Sequence, residues 1–216
     1  MPQMETPFFL GVDWHGMKLL IATTNKGKIQ MYRDLLKRES VDFGFLDEIG
    51  QTVPSPEENG ATPEENALLK ARHYCQAIGL PTLADDSGFS IDALGGEPGV
   101  MTRRWGGALP DTVSDEQWIS YYLEKVKNVR ESLLKAGFPF CRAIVFADGR
   151  TFVQNDKIEF LLTKTPRRPY PKGWPVSSVR VFPDGRHELD IPKDDPLWQI
   201  QLKREGLIDL LRRAGF

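Results

Sequence analysis

The chain has 216 residues, 40% hydrophobic and 27% charged, a globular balance that excludes a disordered polyelectrolyte and leaves apolar side chains enough for a buried core. Its 28 basic residues against 30 acidic ones leave a net charge of -2, which supplies no long-range attraction for nucleic acid or an anionic membrane, so neither is expected as a partner. No run of about 18 apolar residues is present for a membrane helix, and the first residues lack the basic start, apolar stretch and cleavage site of a secretory signal.

Residues 1–16, including Pro7, Phe8, Phe9, Trp14 and His15, show no period and precede a plausible second start at Met17; they read as an extension outside the fold, leaving 17–216 as one α/β unit. The apolar run K-L-L-I-A at 18–22 predicts a strand buried on both faces. The turn T-T-N-K-G follows, and behind it Ile29, Tyr32, Leu35 and Leu36 recur at helical spacing. Thr62 as cap, Pro63 in the first turn, Glu65 closing a capping box and Gly79 past the last turn predict a helix, with Ala67, Leu68, Ala71, Cys75 and Ile78 on its apolar face. Residues 81–100 read as a strand, a turn at 85–88, a second short strand and a glycine-rich loop. Ser114 and Gln117 form a second capping-box pattern, and Trp118, Tyr122, Val126, Val129 and Leu133 then predict a long helix over 115–136, ended by Gly137. The β-rich segment 140–147, the Asp148-Gly149 turn and 151–153 predict a hairpin. Further β segments are expected at 158–163 and 177–182, on either side of the loop R-R-P-Y-P-K-G, and a last helix at 196–213. The whole is α/β with a mixed sheet. Cys75 and Cys141 match no metal-ligand spacing and read as buried reduced thiols, which suits a cytosolic setting.

Three clusters carry the polar chemistry. T-T-N-K-G-K at 23–28 puts hydroxyls, an amide and two lysines where a strand hands over to a helix; helix amides with Lys28 make a site for phosphate oxygens, although a solvated turn accounts for the same residues taken alone. P-E-E-N-G at 56–60, ahead of E-E-N-A-L-L-K-A at 64–71, gathers carboxylates in a loop before a helix, a place for a hard cation or simply a dipole-matched first turn. Asn66 and Lys70, four apart, share a face of that helix. L-A-D-D-S-G-F-S-I-D-A-L-G-G-E-P-G-V at 83–100 is the most specific: successive aspartates point different ways, so one can bind metal or activate water while the other anchors the turn. His15, His73 and His187 show no ligand spacing, and Ser87 lies in D-S-G rather than in a nucleophile elbow, so neither a zinc site nor a serine hydrolase is expected.

Taken together, A-T-T-N-K-G-K, E-N-G-x-T-x-E-E-N-A-x-x-K-A and the string at 83–100 resemble the signature of the inosine triphosphate pyrophosphatases, which remove non-standard purine nucleotides. The resemblance covers about residues 17–105 closely and the rest in outline. It implies an elongated, two-lobed α/β fold, with a central mixed β-sheet flanked by helices and a cleft between the lobes. It also implies a cytoplasmic homodimer that uses Mg²⁺ to hydrolyse a nucleoside triphosphate, such as that of inosine, deoxyinosine or xanthosine, to the monophosphate and pyrophosphate. On this resemblance Thr23, Thr24, Asn25 and Lys28 contact the triphosphate, Glu57 and Asp86 hold Mg²⁺, Asp86 helps to activate water, and Lys70, Ser87 and Arg104 complete the phosphate grip.

The chain also departs from the pattern. Where the family has F-G-Y-D-P for purine recognition, K-G-W-P-V-S-S stands, so Gly173 and Trp174 correspond and the aspartate is missing. Where it has S-H-R before the last helix, Gln201, Leu202 and Lys203 stand, and Lys203 replaces an arginine's charge without its bidentate geometry. Trp174 and Lys203 are therefore the base-side candidates, and weak discrimination among bases is expected, because a stacking surface accepts any aromatic ring. Two alternatives stay open: nucleotide binding without turnover, and a pyrophosphatase of another base specificity.

Overall fold

A computed structural model describes residues 19–50, 52–192, 195–201 and 203–216. The N-terminal extension at 1–16, Met17, Lys18 and Leu202 lie outside the described residues, as does the side chain of Gln201.

The chain opens with β1 (Leu19–Ile21), α1 (Lys26–Leu36), β2 (Phe43–Phe45) and α2 (Pro63–Ile78). β3 (Thr82–Ser87), β4 (Phe89–Ile91), β5 (Pro98–Gly99) and α3 (Asp115–Val126) follow. The hairpin of β6 (Lys135–Val145) and β7 (Thr151–Leu162) leads to β8 (Arg180–Val181), α4 (Pro196–Gln201) and α5 (Arg204–Ala214). Among the described residues these strands form one mixed sheet: β1 lies parallel to β2 and to β3, and the remaining pairings are antiparallel. The hairpin expected around Asp148-Gly149 is present, with Val145 opposite Thr151.

The two-residue period of the strands divides the core. Leu19, Ile21, Leu83 and Ile144 face Tyr32, Leu35 and Leu36 of α1 and Leu207, Leu210 and Leu211 of α5. The residues between them, Leu20, Ala84, Cys141, Ala143 and Val145, face Ala67, Ala71, Cys75 and Ile78 of α2 on the other side. Both cysteines are buried in this second layer. A third core gathers Phe89, Ile91, Phe138 and Phe160 from the opposite end of the long strands around Trp118, Tyr122 and Val126 of α3. Clusters at the two ends of the same strands leave a cleft between them.

Four sequence expectations need correction. The segment 85–88 is not a turn. Asp85, Asp86 and Ser87 pair with Arg142, Cys141 and Phe140 of β6, and Ser90 lies opposite Gly137 in the same register, so β3 and β4 run end to end along one edge of β6. The ladder keeps this polar string extended, and the Gly88 N–H continues it by donating to the Pro139 carbonyl at 2.9 Å. The helix expected over 115–136 stops at Val126; Leu133 is exposed, and from Lys135 the chain is strand. Val129 and Leu133 extend the helical period only by coincidence, and the two-residue alternation of Leu134, Ala136 and Phe138 prevails. Gly137 therefore ends no helix but sits in β6, where a Cβ would come 2.9 Å from the Ile158 carbonyl oxygen. Of the segment 177–182, Pro175–Ser178 closes a 3-10 turn and only Arg180–Val181 is strand. The last helix is two, broken at Lys203, whose φ of 49° is left-handed.

The caps behave more nearly as read. Thr62 accepts from the Glu65 N–H at 3.2 Å, but the Glu65 carboxylate takes the Ala61 N–H at 2.7 Å, one residue short of a closed box. Ser114 and Gln117 close theirs.

Candidate active site

Because β3 stays extended through Ser87, alternation sends Asp85 to the α1 face with Leu83 and Asp86 to the α2 face with Ala84. Each meets a lysine from its own helix: Lys28 Nζ lies 3.0 Å from Asp85, and Lys70 Nζ lies 2.8 Å from Asp86. Asn66, one turn before Lys70, is a buried bridge. Its Oδ1 accepts from the Gly60 N–H at 2.8 Å and its Nδ2 donates to Asp86 Oδ2 at 3.2 Å, so both ends of the amide are fixed by their partners. A Cβ at Gly60 would lie 2.6 Å from Asn66 Oδ1, which restricts this close approach to glycine.

Lys70 also reaches Glu58, at 2.9 Å. Glu57 lies exposed on the same loop and lines neither cavity described below, so it is Glu58 that joins Asp86 around one ammonium. Burial pushes the Asp86 carboxyl above the ordinary carboxylate range, against the hydrogen bonds from Lys70 and Asn66, and the Glu58 charge adds to the rise. Burial alone would disfavour the Lys70 ammonium, but its bonds to Asp86 and Glu58 prevail and raise its pKa.

On the α1 side, Asn25 caps the helix, Oδ1 accepting from the N–H groups of Gly27 at 2.8 Å and Lys28 at 3.2 Å. Thr23 Oγ1 accepts from the Asn25 N–H at 3.2 Å. Thr23, Thr24, Asn25, Lys28, Glu58 and Lys70 line a cavity of about 200 Å³. A cleft of about 740 Å³ is walled by Asp86, Ser87 and Asn66 on one side and by Arg103, Arg104, Trp118 and Trp174 on the other, and Glu58 lines both spaces.

Arg104 stands 3.3 Å from Asp111 in an exposed pair. Trp174 is 45% exposed, with its ring centroid 5.5 Å from that of Phe138. Lys203 lines neither space; its carbonyl accepts from the buried Arg142 at 3.1 Å. Apart from Glu57 and Lys203, then, every residue expected at the site lies on one of two adjoining cavities. Sequence reasoning missed Glu58 and Arg103. For Glu58 the signal was present, since E-N-G begins at that residue.

Among the described residues no cluster of three or more His, Cys, Asp or Glu is placed to hold a metal unaided. Two hard-oxygen donors, Asp86 and Glu58, converge on one cation, the lysine ammonium, and this set fits Mg²⁺, which takes one or two carboxylates and completes its shell with phosphate and water.

The model of the Ham1 family matches residues 19–180. This chain belongs to that family. The dITP/XTP pyrophosphatase of Thermus thermophilus is 36% identical to it over 152 residues, 70% of each chain. The protein of that name from Symbiobacterium thermophilum is 37% identical over 169 residues, 78% of this chain and 81% of the other. The solved structure of a HAM1 protein from Coxiella burnetii shares the fold with a TM-score of 0.76 at 27% identity, covering 91% of this chain and 99% of that one. The α/β fold and the resemblance carried by residues 17–105 are thereby borne out. Of the site residues expected from sequence, the Ham1 match takes in all but Lys203. No helix among the described residues is long and apolar enough to cross a membrane.

Proposed function

We propose that this chain hydrolyses a non-standard purine nucleoside triphosphate, such as dITP or XTP, to the monophosphate and pyrophosphate. The observation that carries it is Asp86, which lines the large cleft that exposes Trp174 and is held there by Asn66 and by Lys70, a lysine of the adjoining small cavity. Relatives that align over most of their length carry the name dITP/XTP pyrophosphatase.

In this account the triphosphate lies along the small cavity, where Lys28, Thr23, Thr24 and Asn25 meet its oxygens. Lys28 and Lys70 neutralise the charge that grows on the departing pyrophosphate. Asp86 orients the attacking water and accepts its proton, while Ser87 and Arg104 hold the phosphate from the cleft side. Asp86 and Glu58, the neighbour of the Glu57 that the resemblance implied, would hold Mg²⁺, which when bound screens phosphate charge and polarises the attacked phosphorus. Trp174 offers a flat face for the base, and no role is proposed for Lys203. A homodimer is carried by the resemblance, and a cytosolic setting by the two buried thiols. Neither nucleic acid nor membrane is proposed as a partner, given the net charge of -2.

Product analysis on a panel of triphosphates with Mg²⁺ tests this. Pyrophosphate and monophosphate are expected from dITP and XTP. With no aspartate in the loop of Trp174, preference for inosine or xanthosine over adenosine or guanosine should stay below about a hundredfold. Orthophosphate as the product would refute the reaction, and binding without any turnover would leave a nucleotide-binding protein.

A further inference from the structure

The loop that presents Trp174 is tied to the opposite wall of the cleft by one carboxylate. Asp115, the first residue of α3, accepts from the Gly173 N–H through Oδ2 at 2.9 Å and from Arg103 Nη1 through Oδ1 at 2.5 Å. The other terminal nitrogen of Arg103 donates to the Val113 carbonyl, so the guanidinium is fixed at both ends of its fork. Gly173 has a φ of 77°, and the next residue is Trp174. Arg103, Gly173 and Trp174 all line the large cleft, whereas Asp115 does not. Burial works against its charge, but Arg103 and the Gly173 N–H outweigh it and hold the carboxyl below the usual carboxylate range. The carboxyl is therefore ionised throughout the neutral range. Its placement at the start of α3 also suits the helix dipole.

We propose that Asp115 is a positioning residue for base binding: it holds Trp174 at the cleft, and the base of a purine nucleoside triphosphate stacks there only while this tether is closed. The inference rests on taking the large cleft as the base site. It places part of the base specificity in a residue that never touches the base, which is how a loop lacking the usual carboxylate can still offer an ordered platform.

The experiment is calorimetric titration of dITP and of inorganic triphosphate, each with Mg²⁺, into the wild type, D115A, D115N, R103A, W174A and the D115A/W174A double variant. D115A is expected to weaken dITP at least tenfold and to leave inorganic triphosphate within twofold. D115N keeps an oxygen for the Gly173 N–H and loses the charge facing Arg103, so its loss is smaller. On the W174A background D115A should add no further loss, because the ring it positions is already gone. In steady-state assays the change appears in KM more than in kcat. A merely structural role for Asp115 would weaken both ligands alike and would persist without Trp174; either result overturns the proposal, as does wild-type affinity of D115A for dITP. If D115A does not fold, D115N and R103A carry the same comparison. The dITP used for titration carries an α,β-imido bridge that the proposed reaction cannot break, so binding is read without turnover: a chain that binds this analogue through the tether yet releases no pyrophosphate from dITP itself would refute the proposed reaction and leave the tether standing.

Discussion

Asp85 and Asp86 are consecutive in the chain yet engage lysines from different helices on opposite faces of the sheet, Lys28 at 3.0 Å and Lys70 at 2.8 Å. One peptide unit of extended backbone thus engages two ammonium groups that line one small cavity. The strand ladder with β6 is what keeps them apart.

Lys28→Ala should lower kcat/KM at least tenfold, about 1.4 kcal/mol of transition-state stabilisation, because a charge-assisted contact to phosphate contributes that much or more. Lys28 lines the small cavity and not the cleft, so the loss should be equal for triphosphates of different bases. A loss confined to one base, or none, would remove Lys28 from the phosphate site.

Gly88→Ala tests the join between β3 and β4. A Cβ there would lie 3.0 Å from the Gly99 carbonyl oxygen and 3.2 Å from the Val100 nitrogen, backbone atoms that cannot swing aside. Overpacking of this kind costs about 1–3 kcal/mol, to be read as a lower urea midpoint with an unchanged slope. An unchanged midpoint would show that the Gly99 loop moves freely.

The Cys141 thiol is pushed up to about 12, chiefly by burial, then by the charges of Glu64, Asp86 and Asp85, with Arg142 opposing. The fold favours the neutral thiol, so its stabilising effect is complete below the ordinary thiol value of 9.0 and is lost as pH rises through about 12. Burial raises Cys75 as well. At pH 8 a thiol-disulfide reagent should therefore label neither cysteine in the native protein and both in denaturant. Rapid stoichiometric labelling of the native chain would contradict the burial of this layer.

What was legible in the sequence was what local chemistry decides. Asn25, Thr62 and Gly79 sit at helix ends because their side chains or backbone freedom satisfy orphan amides and carbonyls within a few residues, and the Asp148-Gly149 turn is equally local. The string at 83–100 located the site for the same reason, its residue types being concentrated in one stretch. Composition misled where a distant partner decides. Asp85 and Asp86 look like turn residues until β6 pairs with them and two lysines satisfy them. The helical spacing of Val129 and Leu133 outran α3, because pairing with β7 claims the chain from Lys135. Glu57 and Glu58 are chemically identical, and it is the folded loop, tied from Gly60 to Asn66, that presents Glu58 to Lys70. In sequence Asp115 marks only the start of a predicted helix, since Gly173, its partner, lies 58 residues away.

The most direct test of the central claim is pyrophosphate release from dITP with Mg²⁺ by the wild type and by Asp86→Asn, measured side by side with circular dichroism as the check on folding. The substitution removes the negative charge on which water activation and cation binding both depend and keeps the shape of the side chain. The wild type should release pyrophosphate and monophosphate in equal amounts, and the folded variant should turn over at least about a hundredfold more slowly. A folded Asp86→Asn protein that releases pyrophosphate at near the parental rate would contradict the assignment of Asp86 at the reacting phosphorus.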